Sequence, residues 1–201
     1  MKLVLSPVCA VALVALVPAA PRVIDTAQVH GPLQVSDATV AVRCPLTVGG
    51  SFEAKTSAMS GELVLSPDKG GSVDGEVAVD LRTLQTGIGL RDNHMRDGYL
   101  EVQKGDGYQT AVLDRIRLEG IDPAQPAGKA TFRGVLALHG QEREVTGTAE
   151  IRRAGPNFRV QASFPVKVSD FDIASPSYLG VGVRNDVSVA VSFHAASKHS
   201  F

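Results

Sequence analysis

Apolar and polar residues alternate with a period of two along much of this chain. From Val73 to Leu81 every odd position is apolar or Gly, and every even position except Ala78 is acidic. The same period runs through Phe158, Val160, Ala162, Phe164, Val166 and Val168. It returns at Phe132, Gly134, Leu136 and Leu138, at Val145, Gly147, Ala149 and Ile151, and at Val187, Val189, Val191 and Phe193. Successive side chains of a strand point to opposite faces, so each run predicts a strand with one buried face. Turn-forming clusters separate the runs: Ser66 to Gly71, Ile121 to Gly128, His139-Gly140 and Ala154 to Asn157. About eight strands joined by short turns predict an all-β, antiparallel sandwich or barrel. Gly75, Gly134 and Gly147 fall on the inward parity, where glycine either bends a strand or leaves room inside.

Two stretches break the period. Between Ile88 and Val102, Leu90, Met95, Tyr99 and Leu100 follow steps of three and four, which predicts one or two short helices near one end. Asp92 and Arg96 are four apart and are expected to pair on an exposed face. Residues 169 to 182 form the second stretch. Phe171, Ile173, Tyr178 and Leu179 are too apolar for a solvated loop and are expected to cover or line an opening.

The N-terminus differs from the rest. Lys2, an apolar run from Val8 to Val17, and small residues at Ala19 and Ala20 read as a secretory signal peptide cut after Ala19. The run is shorter than the roughly 20 residues of a spanning helix. No later stretch could cross a bilayer as a helix, so an integral membrane protein is not expected. Removing residues 1–19 shifts the formal charge from −1 to −2. The basic residues are scattered, which gives no electrostatic reason to bind nucleic acid. Cys44 alone survives processing, so no internal disulfide forms, and a buried thiol is the expectation.

The irregular helical stretch also carries a resemblance. Asp80-Leu81-Arg82-Thr83-Leu84-Gln85-Thr86-Gly87, then Leu90-Arg91-Asp92-Asn93-His94-Met95-Arg96, resembles the YceI-like pattern of a strand ending in Asp-Leu, a Thr-Gly turn and Arg-Asp-x-His-Leu-Arg. Leu136-Ala137-Leu138-His139-Gly140 resembles that family's Leu-Thr-Leu-His-Gly hairpin. Val168 to Ile173 and Asp186 to Val189 resemble two further segments, in the family's order. The family's Tyr-Pro-x-Ala-x-Phe has no full counterpart near Tyr108, Met95 replaces a Leu, and Asp172 replaces a Gly. The resemblance implies an eight-stranded, lipocalin-like barrel, a periplasmic or secreted location, and a bound polyisoprenoid or other long-chain lipid. With the N-terminal pattern it divides the chain into a signal peptide (1–19), an arm or edge strand (20–36), a barrel (37–195) and a tail (196–201).

No catalytic motif stands out, and no enzyme or cofactor is expected. Arg91, Asp92, His94 and His139 could form a metal or catalytic cluster only if they converge; anchoring of the helix is the plainer role. The inward rows supply candidate lining for an apolar ligand: Phe52, Val77, Val79, Phe132, Leu136, Phe164 and Val189. The irregular stretches supply a mouth: Leu90, Met95, Tyr99, Phe171 and Tyr178. Inward residues are expected to be mostly Val, Ala and Gly, leaving volume unfilled. The leading reading is a carrier or sequestering protein for a long apolar molecule. Its rivals are a stress-response interaction protein with a filled barrel and a metal-dependent enzyme using Asp92, His94 and His139. A homodimer is left open.

Overall fold

The computed structural model describes residues 31–66, 70–175, 177–178 and 181–197. The predicted signal peptide and its cleavage bond lie outside the described residues. The strands are β1 (Leu33–Pro45), β2 (Ser51–Thr56), β3 (Met59–Ser66), β4 (Ser72–Asp80), β5 (Thr110–Glu119), β6 (Gly128–Leu138), β7 (Gln141–Ala154), β8 (Asn157–Lys167), β9 (Ser177–Tyr178), β10 (Val181–Gly182) and β11 (Asp186–Ser197). β3 through β8 form a meander, β8 pairs with β11, and β11 pairs back onto β1. That last pairing closes the sheet, so the sandwich is excluded and the barrel is what forms.

Eight staves make the barrel, because β2 and β3 act as one. β2 pairs with the Val40–Pro45 half of β1, and β3 reaches only Leu33 and Gln34. The break between them is held by the Ala58 N–H, which donates to the Thr56 hydroxyl at 3.0 Å. β1 starts at Leu33, inside the predicted arm, and Leu33 pairs with Ser197 on one side and Leu63 on the other. Residues 33–36 therefore belong to the barrel and are no edge, and β11 continues to Ser197 in the predicted tail.

Two bulges reset the alternation. In β1 the inward parity passes from Leu33 and Val35 to Ala38, Val40 and Val42, across a register shift between Ser36 and Thr39 where Asp37 takes φ 48°. In β5 it passes from Ala111 and Leu113 to Ile116 and Leu118, across Arg115 with φ 49°. Extra residues of this kind bend and twist a strand, which a closed barrel requires.

The inward glycines leave less room than expected. A Cβ on Gly147 would stand 2.4 Å from the Ser163 carbonyl oxygen and 2.7 Å from both the Phe132 ring and the Phe164 Cβ. Phe132 and Phe164 meet there edge to face, centroids 5.7 Å apart. Gly134 is likewise covered, by Leu113 and Ile116. Gly75 (φ 105°) lies against the Glu62 carbonyl. These glycines serve close approach and bending.

The outer faces carry charge. On β7, Glu144, Thr146, Thr148 and Arg152 are outward and Val145, Ala149 and Ile151 are buried. A barrel embedded in lipid has the reverse pattern. Among the described residues no helix is long and apolar enough to cross a membrane.

Candidate functional site: an apolar tunnel and its mouth

The barrel encloses a cavity of about 870 Å³. It runs from Leu63, Val73, Leu118 and Ile151 near one end to Ile88, Leu90 and Val181 at the other. Leu33, Ala130, Phe158 and Ala195 are buried at the first end without lining the cavity, and they form its floor. The filled barrel is therefore overturned. The wall also differs from expectation: Leu and Ile contribute as much as Val, and Gly almost nothing.

The mouth is covered by a strap over residues 81–104. It comprises a 3₁₀ turn (Leu81–Thr83), helix α1 (Gly89–Asn93), a π-type turn (His94–Tyr99) and a second 3₁₀ turn (Val102–Lys104). Asp80 starts it, accepting the Arg82 N–H at 2.9 Å while its carboxylate pairs with the Arg82 guanidinium at 2.8 Å. The Thr56 and Thr83 hydroxyls meet at 2.6 Å, and Lys55 and Gln85 exchange backbone bonds of 2.7 and 2.9 Å. This ties the strap to the free edge of β2. The Asp92 carboxylate accepts the backbone N–H of Thr86 at 2.7 Å and also its hydroxyl. Those bonds, the hydroxyl's first, then the charges of Arg96 and Arg91, hold the Asp92 carboxyl below the usual carboxylate range.

The predicted pair of Asp92 with Arg96 is not formed. Asp92 is buried and turned back to Thr86, and Arg96 donates to the Leu84 carbonyl (3.2 Å) and the Asn93 side chain (3.0 Å). A carboxylate satisfied by two donors from one turn has no need of a surface partner.

Of the predicted lining and mouth residues, Phe52, Val77, Val79, Leu90, Met95, Tyr99, Phe132, Leu136, Phe164 and Val189 all border the cavity. Phe171 does not. It is 1% exposed, packed behind the wall. The Tyr178 side chain lies outside the described residues. The four motif residues divide between two places. Arg91 and His94 border the cavity, and the Arg91 guanidinium lies 4.3 Å from the Phe52 ring centroid while its Nε donates to the Thr86 hydroxyl at 2.8 Å. His139 is buried at the β6–β7 hairpin. Its Nδ1–H donates to the Phe171 carbonyl at 2.9 Å, its Nε2 lies 3.0 Å from Glu101, and Tyr108 packs edge-on at 4.7 Å. Glu101 also pairs with Lys104 at 2.6 Å, which keeps its carboxyl low. Among the described residues no three metal-ligating side chains converge.

Sequence reasoning missed several wall residues. Cys44 borders the cavity across from Phe52, its cross-strand partner. Burial pushes its thiol up to about 11, against the opposing charge of Arg91. Ile116 and Leu118 were hidden by the β5 bulge, and Leu84 and Ile88 by the irregular strap. A search for two short runs of opposite parity would have found the β5 pair.

A closed, eight-stranded antiparallel barrel with an apolar interior and a strapped mouth is a lipocalin-like binding architecture. The family model for the YceI-like domain matches residues 33–195, and the chain belongs to that family. Among solved structures it is similar to Burkholderia cenocepacia BcnA, with 14% identity and TM-score 0.64, over 79% of this chain and 96% of that one. A polyisoprenoid binding domain from Saccharophagus degradans, implicated in plant cell wall breakdown, gives 17% identity and TM-score 0.62 over 84% and 98%. The Campylobacter jejuni YCEI protein gives 19% and 0.57 over 75% and 87%. At such identities the likeness is one of fold. No curated protein matches the chain.

Proposed function

We propose that this protein is an exported carrier that sequesters one long apolar, isoprenoid-type chain inside its barrel. The observation that carries the reading is the cavity: about 870 Å³ and walled almost wholly by apolar side chains. That volume is at the upper end of the range for small-molecule sites. Each CH₂ moved from water into such a wall contributes roughly 0.8 kcal/mol, so ten carbons contribute about 8 kcal/mol without any reactive group. The binding of polyisoprenoid by a domain of the same fold supports the chemical class. Arg91 and His94 are the basic side chains in the lining and stand at the mouth. The tail therefore enters first, and a polar head stays beside them. Export rests on the N-terminal pattern and is checked by N-terminal sequencing of the secreted or periplasmic protein, which should begin at Ala20.

Cys44 provides the test of binding. A thiol with a pKa of about 11 carries about a hundredfold less thiolate at pH 8 than one at 9.0, so it is alkylated slowly. Saturation with a long-chain polyprenol should slow it at least tenfold further, and native mass spectrometry should show one chain per protein. A barrel that takes up no polyprenol and leaves Cys44 equally reactive rejects the carrier.

A further inference from the structure

The exposed large hydrophobic side chains of the described residues are Val48 (68% exposed), Ile88 (55%), Leu90 (67%) and Val181 (37%). All four lie at the mouth end, and none at the floor. Ile88, Leu90 and Val181 border the cavity, so this patch is the outward continuation of the tunnel wall. Val48 joins it through the β1–β2 turn: the Thr47 N–H donates to the Gly182 carbonyl at 2.9 Å, and the Gly182 N–H to the Thr47 hydroxyl at 3.0 Å. Exposed apolar side chains that continue the wall of an apolar cavity mark an interaction surface.

Three arginines stand in the same segments. Arg43 donates to the Ser51 hydroxyl at 3.1 Å, Arg91 to the Thr86 hydroxyl and Arg184 to the Leu46 carbonyl at 3.2 Å. The described bonds of all three end on neutral oxygens. Glu53, which feels Arg43, is already held by Lys55 at 2.8 Å. A guanidinium has five donors in a planar fork, and one such bond leaves enough for a bidentate phosphate contact.

We propose that this rim docks on a phospholipid bilayer, with Val48, Ile88, Leu90 and Val181 in the acyl boundary and Arg43 and Arg184 on headgroup phosphates. The inference rests on the carrier reading. A chain that gains so much from leaving water crosses water slowly, so it must pass between bilayer and tunnel while the two touch. A rim that is apolar at its centre and cationic at its edge matches the depth profile of such a surface.

The chain contains no Trp, so a single introduced Trp is an uncontaminated probe. Leu90→Trp, with Val48→Trp as a second reporter, should shift to the blue and be quenched by brominated lipid in phosphatidylcholine vesicles containing phosphatidylglycerol. Ala124→Trp, in the exposed β5–β6 loop at the floor end, should not respond. Each reporter senses its own surroundings, so residues 1–19 do not enter the signal. Adding Arg43→Gln with Arg184→Gln to the V48W reporter should raise the lipid concentration at half-response by tenfold or more, at roughly fivefold per arginine. Docking is overturned by mouth reporters that stay unchanged, by an equal response at Ala124→Trp, or by a blue shift that follows protein concentration without lipid, which would mark self-association. Polyprenol uptake by the wild-type chain, presented from cyclodextrin without vesicles, is measured separately. Uptake with silent mouth reporters rejects docking alone, and absent uptake rejects the carrier.

Discussion

The two ends of the tunnel are built from the same residue types and solve opposite problems. At the floor half, Phe132 and Phe164 close over Gly147, and Leu33, Phe158 and Ala195 plug the opening behind them. Regular strands deliver every one of these side chains. At the mouth, the strap presents Leu90 and Ile88 to solvent and holds itself by polar bonds: Asp80 on Arg82, Thr56 on Thr83, Asp92 on Thr86. The floor is held by packing, and the mouth by hydrogen bonds added to the packing of the buried Leu81, Leu84 and Val102. Apolar contact would seal an opening, whereas a polar frame can hold one around an apolar hole.

That contrast can be broken by substitution. The largest expected effect is at the floor: Phe164→Ala should cost about 3 kcal/mol, the low end for a buried Phe because its ring already faces a cavity. Urea unfolding measures it, and a loss under 1 kcal/mol would mean the floor is not held by packing. Next is Asp92→Ala, which strands the Thr86 N–H and should cost about 1–2 kcal/mol, with strap amides exchanging faster and floor amides unchanged. This contribution depends on pH. Because the folded-state pKa of Asp92 is depressed, its stabilisation is present above the unfolded value of about 3.9 and is lost as pH falls through the folded one. The wild-type and Asp92→Ala denaturation midpoints should therefore converge in acid, and parallel curves would remove Asp92 from the account. The smallest effect is Leu90→Ala, within about 0.5 kcal/mol because Leu90 is exposed. A greater loss would show that the rim is part of the core.

Period-two runs made most of the wall legible. β4, β6, β7, β8 and β11 keep one inward parity where they line the cavity, so the alternation itself marks which of their side chains border it. β1 and β5 were not legible in the same way. One residue in the left-handed region, Asp37 or Arg115, moves every later side chain to the other parity, and no local signal announces it. The strap was legible as helical, but its bonds were not. Asp92 looked like half of an i,i+4 pair, and only the return of the chain at Thr86 shows why it turns inward. Phe171 looked like a mouth residue by its neighbours, yet its carbonyl is fixed by His139 from a hairpin 32 positions earlier in sequence, and that places the ring behind the wall.

The barrel closes where β1 meets β11, with Leu33 opposite Ser197. Among the described strands of the barrel, β1 is thus completed by the one most distant from it in sequence. Until Asp186–Ser197 is available, β1 keeps an open edge along its closing side, and the meander from β3 to β8 has no ring to join. Non-local pairing of this length makes folding slow and leaves edges exposed to other chains meanwhile. Closure of the ring is therefore decided by the twelve-residue strand β11, and a chain cut before Asp186 should gather in aggregates however sound its other strands.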